Sequence, residues 1–269
     1  MESSKRLPNF NRISIISGSI LLLLSLTPFI PGSSTSFEVS LPFFNLAVNL
    51  SLRSLIPFFG AVLAALGMEW LIEDHPLREN VRFPLYWVIP ALAVLAIGLP
   101  LNLVETSSFW WIMFVSGGIG LILVLYSEYI TLDPADPFYD FASLTLIAIM
   151  HAMLLGIALS VRASGQRLYV LLIVILPAVF FVTLRALFLR SERRFWTEWS
   201  VGITVFIAGL VIGLHYLPIP APAFAMIIAG TTYALGALAS GIISGEHRWK
   251  LWLEPGIVTL VILVGAIFV

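Results

Sequence analysis

His151 is the most isolated polar side chain in the sequence, set in the apolar run Ala148-Ile-Met-His-Ala-Met-Leu154. An ionisable group at the centre of an apolar segment is by default a candidate functional residue. With an ordinary pKa of about 6.5, an imidazole there can relay protons, ligate haem or a metal, or touch a substrate. The structural alternative is a neutral ring hydrogen-bonded to a hydroxyl or carbonyl of a facing helix. No second central histidine is placed to complete a ligand pair. Glu69, Glu128 and Arg185 complete the candidate intramembrane polar site. Arginine can snorkel to the interface over about a turn, whereas the shorter glutamate needs a partner. Arg185 is the candidate partner for Glu69 or Glu128, and such a pair would serve as glue between helices or as the gate of a transporter.

The most enzyme-like feature is Asp133-Pro-Ala-Asp136-Pro-Phe-Tyr-Asp140, with spacing Asp-x-x-Asp-x-x-x-Asp. It resembles the first acidic motif of the UbiA-type membrane prenyltransferases, a multi-helix family whose carboxylates hold magnesium bridging a polyprenyl diphosphate. What the resemblance implies is that Asp133, Asp136 and Asp140 are magnesium ligands. The match is confined to this run, Leu132 stands where that pattern usually has asparagine, and no second Asp-rich motif follows. Pro134 and Pro137 also interrupt a segment that should be helical. The same residues have a local reading. Asp136 before Pro137 makes an N-cap with proline at the first helical position, and Asp133-Pro134 ends the preceding helix. Acids also suit the N-terminal end of a helix dipole.

The elements around these residues follow from composition. The 269 residues are 59% hydrophobic and 11% charged, with a mean hydropathy of +1.02. Soluble domains carry roughly 45–50% apolar and about 25% charged residues, so this chain lacks the charge to cover a folded surface in water. A net charge of −1 and the lack of any long basic run exclude a nucleic-acid binder. The absence of cysteine excludes disulfides, thiolate metal sites, cysteine nucleophiles and c-type haem attachment. Catalytic triads, Walker motifs, His-Glu-x-x-His zinc sites and nucleophile elbows are likewise missing.

A bilayer core of about 30 Å takes roughly 20 apolar residues of helix. Such stretches run over 13–30, 52–72, 84–104, 109–132, 138–161, 168–189, 199–217, 222–243 and 251–269, with short turn-forming separators. The expected fold is all-α: a polytopic integral membrane helix bundle of about nine helices, forming a single transmembrane domain over 1–269. With the N-terminus inside, alternation puts Lys5, Arg6, Arg12, Arg78, Arg82, Arg185, Arg190, Arg193, Arg194, Arg248 and Lys250 on the inner side. Only Arg53, Arg162 and Arg167 fall outside, which the positive-inside rule reads as N-in, C-out. The loop Arg162–Arg167 is the dissenting one. The first segment follows a basic start and reads as a retained helix, the alternative being a signal peptide cleaved near Ser33–Ser36.

One stretch has a period of two. Phe37, Val39 and Leu41 alternate with polar residues, then Leu46, Val48 and Leu50 do the same beyond Pro42-Phe43-Phe44. This reads as a small outer β-hairpin between the first two helices, or as an extended loop on the helix ends. A lone hairpin is marginal in water and needs something to pack on, such as a partner. Pro57, Pro90 and Pro177 fall within helices and tend to kink them. The pairs Gly209/Gly213, Ala237/Gly241 and Gly241/Gly245 mark faces where backbones can approach closely. His215 and Tyr216 precede Pro218 at the outer end, where water can satisfy them.

The reading these features favour is a non-enzymatic scaffold, assembly factor or accessory membrane subunit. A transporter or channel for a small solute or lipid is the alternative, and a magnesium-dependent prenyl or lipid-diphosphate transferase the second. No cofactor is called for. The expected partners are the lipid bilayer and either another membrane protein or a second copy, and no nucleic acid. Compact loops point to the plasma (inner) membrane of a prokaryote.

Overall fold

An apolar chain in hydrocarbon must satisfy its backbone hydrogen bonds within each segment, which favours helices. The computed structural model describes residues 8–30, 34–41, 44–73, 75, 77, 85–191, 194–245 and 248–268. Among them run nine helices: α1 (Phe10–Ser25), α2 (Leu52–Ile72), α3 (Leu85–Leu103), α4 (Ser108–Ile130), α5 (Tyr139–Ala163), α6 (Leu168–Arg190), α7 (Thr197–His215), α8 (Ala221–Ile243) and α9 (Arg248–Phe268). The first eight are long and apolar enough to cross a membrane, α1 with the help of a 3-10 turn at Thr27–Phe29. In α9 the apolar stretch is Trp252–Ile262. The chain is thus a multi-pass membrane helix bundle.

Between α1 and α2, β1 (Ser34–Leu41) and β2 (Phe44–Ser51) form an antiparallel ladder in which Phe37 pairs with Val48 and Val39 with Leu46. β2 runs into α2 without a linker.

Local chemistry sets several helix ends. Asn9 caps α1 by accepting the Asn11 N–H, and Ser107 caps α4 through the Trp110 N–H. α5 and α8 both stop at Ser-Gly, where Gly165 (φ 64°) and Gly245 (φ 67°) take the left-handed conformation that closes a helix C-terminus. Proline lies inside α2, α3 and α6 at Pro57, Pro90 and Pro177, and also at Pro100 in α3 and Pro255 in α9.

The interior divides into two apolar clusters. One gathers α1 to α4 around Ile20, Met68, Ile89 and Leu121, and the other gathers α6 to α8 around Ile175, Ile207 and Phe224. α5 serves both. Its residues Leu146 to Met153 belong to the first cluster and Leu154 to Val161 to the second. Packing of α2 on α3 is close at Gly98, where a Cβ would come within 2.7 Å of the Pro57 ring. The Gly209/Gly213 face of α7 does not pack within the bundle, since a Cβ at either position would meet nothing within 4 Å. Leu22, Leu66, Ile112, Phe141, Ile173 and Val205 project outward, as lipid-facing residues do.

Candidate functional site

Glu128 lies in the last turn of α4 with no exposed surface, and Arg185 lies near the end of α6, almost equally buried. Both helices pack on α5. The guanidinium clasps the carboxylate from two nitrogens, Nη2 to Oε2 at 2.5 Å and Nε to Oε1 at 3.2 Å. Thr131, the C-cap of α4, completes the arrangement: its hydroxyl donates to the Glu128 carbonyl (3.1 Å) and accepts from Arg185 Nη2 (2.9 Å). The Arg185 guanidinium also lies 5.4 Å from the centre of the Phe188 ring. Burying a charge pair is tolerable only when both ions are hydrogen-bonded in this way.

Glu69 is placed elsewhere. Its Oε2 accepts from the Tyr86 hydroxyl and the Trp87 indole N–H, each at 2.9 Å, which ties α2 to the start of α3. The structure therefore brings Glu128, and not Glu69, to Arg185.

His151 sits halfway along α5, where its Nδ1–H donates to the Ile147 carbonyl one turn back at 2.8 Å. The ring edge meets Tyr233 of α8, with centroids 4.9 Å apart and planes at 79°. Tyr233 is the node of a network the sequence reading did not assemble. Its hydroxyl accepts from Arg190 Nη2 (2.9 Å) and donates to Glu254 Oε1 (2.5 Å). Arg190 also reaches Glu254 at 3.1 Å and stands 5.0 Å from the centre of the Tyr233 ring. Side chains of α5, α6, α8 and α9 thus meet at one place. The available signal was Glu254, the one acid within α9.

The three aspartates act locally. Asp133 Oδ1 accepts the Ala135 N–H at 2.9 Å and Asp136 Oδ1 accepts the Phe138 N–H at 2.8 Å, two successive Asx turns. The expected N-cap at Asp136 is corrected by two residues. α5 begins at Tyr139 with Phe138 as its cap residue, because the Asx turn uses Asp136 before the helix starts. Asp140 lies in the first helical turn. Among the described residues, no three His, Asp or Glu side chains are gathered to hold a metal ion.

His75, between α2 and α3, accepts the Leu77 N–H on Nδ1 at 3.1 Å and sets its ring 4.8 Å from Tyr129. Burial pushes its pKa below the ordinary value, partly opposed by the Asp133 charge. At the far end of the bundle, Arg162 donates to the carbonyls of His215 (3.4 Å) and Leu217 (3.2 Å) and lies 5.3 Å from the Phe224 ring centre. The dissenting arginine therefore helps to close the end of α7, satisfying the carbonyl of its last residue, His215, and that of Leu217 just beyond it. His215, expected to rely on water, lies beside that guanidinium, its Nδ1 3.4 Å from Arg162 Nη1.

Two apolar grooves mark the outer surface. One of about 530 Å³ lies between α4 and α5, and one of about 510 Å³ lies against α7 and α8 beside Glu198 and Trp199.

A search of the curated proteins finds no match, and neither does a search of the solved structures. One family model, described as "Protein of unknown function (DUF5656)", matches residues 33–269. That span takes in the hairpin and α2 to α9, most of the chain, and the protein belongs to this family.

Proposed function

We propose that this chain is a non-catalytic multi-pass protein of a prokaryotic plasma membrane, N-in and C-out, serving as a scaffold, assembly factor or accessory subunit. The observation that carries this reading is the closure of the Glu128–Arg185–Thr131 group, whose polar atoms bond one another in a fully buried place. A catalytic or transport site has to leave donors, acceptors or a ligand position open to its substrate. Glu69, Asp133 and Asp136 likewise direct side-chain oxygens to groups of their own chain.

The chain lacks cysteine, so a single introduced cysteine is a clean probe. In His151→Cys, a small membrane-impermeant thiol reagent should fail to label the folded protein. Rapid labelling would mean that water reaches the middle of α5 and would replace the scaffold reading with a transporter. That second reading draws on one observation: Glu254 stays half-exposed while bonded to Arg190 and Tyr233, so the network around His151 has an open side.

A further inference from the structure

Two rows of opposite character run along the β1–β2 ladder. Its register pairs Phe37 with Val48 and Val39 with Leu46, and between and beyond them Glu38 with Ala47 and Ser40 with Asn45. Successive residues of a strand belong to opposite faces. Phe37, Val39, Leu46 and Val48 therefore share one face, and Glu38, Ser40, Asn45 and Asn49 share the other. Glu38 is the one charged residue within the two strands. A two-stranded ladder is marginal in water unless something covers its apolar face. Among the described residues, no helix other than α2 packs on the ladder to any extent, and β2 meets α2 as its own continuation.

The bilayer lies at hand, because both ends of the hairpin are held at its surface. The chain arrives from the 3-10 turn that ends at Phe29, 82% exposed, and leaves into Leu52, 70% exposed. Each stands at the end of a helix long and apolar enough to span the membrane. Arg53, in the first turn of α2, marks the headgroup level there, since a guanidinium seeks that layer. Standing upright, strands of eight residues would carry the apolar row about 26 Å into water. Lying down, they continue the lipid-facing surface that Phe29 and Leu52 begin. The outer edges of the two strands limit the depth. Their unpaired backbone groups need water or headgroups, which the hydrocarbon core does not supply. We propose that the β1–β2 hairpin is an interfacial element, lying on the bilayer with the Phe37, Val39, Leu46 and Val48 face toward the acyl chains and the Glu38 face toward water. With so little charge, it reads the boundary between headgroup and hydrocarbon rather than one headgroup. The proposal needs only the bilayer, so it stands apart from the scaffold reading.

The test uses the full-length protein, which has no cysteine of its own, reconstituted at high dilution in phosphatidylcholine vesicles. Val39→Cys, Val48→Cys, Ser40→Cys and Asn49→Cys each carry one environment-sensitive fluorophore. Interfacial elements sit about 5–10 Å into the headgroup and acyl boundary, so a nitroxide lipid with its spin near the headgroup should quench positions 39 and 48 about threefold more than 40 and 49. A nitroxide at the end of the acyl chain should quench neither pair. Two pairs quenched alike or not at all, stronger quenching at 40 and 49, or quenching by the deep nitroxide each overturns the proposal. So does a pattern that fades as the protein is diluted further in lipid, which would give the face to a second copy. If the cysteines disturb the strand pairing, the unaltered protein decides. A phospholipid with a photoreactive diazirine near its headgroup should leave adducts on Phe37, Val39, Leu46 or Val48, and adducts confined to the helices would overturn the proposal.

Discussion

Arg185 and Glu128 stand 57 positions apart and form a bidentate pair at 2.5 and 3.2 Å in a place where the carboxylate has no exposed surface. Removing one partner strands the other charge. Arg185→Met or Glu128→Leu alone should therefore cost about 3–5 kcal/mol, while the double replacement should restore much of the loss. Denaturant unfolding of the purified protein in detergent measures both. Additive losses in the double variant would mean that the pair is not the source of the effect.

The network around Tyr233 fastens the peripheral helix α9 to α6 and α8. Tyr233→Phe keeps the ring against His151 and removes the hydroxyl that links Arg190 to Glu254. We expect a loss of about 1–2 kcal/mol and a looser α9. Cysteines at Gly265 and Met226, neighbours across α8 and α9, report this as a drop in cross-linking by a short bifunctional thiol reagent. Unchanged cross-linking would show that the Tyr233 hydroxyl is not what holds α9, the direct Arg190–Glu254 pair and the apolar contacts being sufficient.

His75 gives a pH dependence with a definite sign. Burial lowers its folded pKa below the unfolded value of 6.5, so the folded state favours the neutral ring. The unfolded chain then binds the extra proton as pH falls through 6.5. The stabilisation is full above that value and is lost below it. The thermal midpoint should fall more between pH 7.5 and 5.5 for the unaltered protein than for His75→Gln. Parallel declines would remove His75 as the cause.

Asparagine supplies the same side-chain acceptor as aspartate. Asp133→Asn and Asp136→Asn should leave stability nearly unchanged, whereas alanine at either position should cost roughly 1 kcal/mol. The transferase alternative expects something different: magnesium-dependent binding of a prenyl diphosphate that both asparagines abolish. Isothermal titration with that ligand separates the two.

The loop after α5 tests the topology. Gly165 is a poor place for a cysteine, because its φ of 64° strains any side chain. Gln166→Cys is the better probe, and N-in, C-out predicts labelling from the outside only. Labelling from the inside would overturn the orientation.

The sequence by itself located the helices. Bilayer thickness and the rise per residue force apolar runs of one length, and the expected span 52–72 coincides with α2, while 168–189 falls one residue short of the end of α6. Alternation also marked the two strands, because a period of two is a local property. What sequence left open was which helix faces which. It offered Arg185 two acids, and the packing of α4 and α6 on α5 chose Glu128, while Tyr86 and Trp87 took Glu69. It also gave no hint that Arg162 would close the end of α7, or that Arg190, Tyr233 and Glu254 would meet. Those partners lie 21 to 64 positions apart, and hydropathy is nearly uniform around membrane helices. It carries no azimuthal signal for pairing, so only the tertiary packing decides which polar side chains meet.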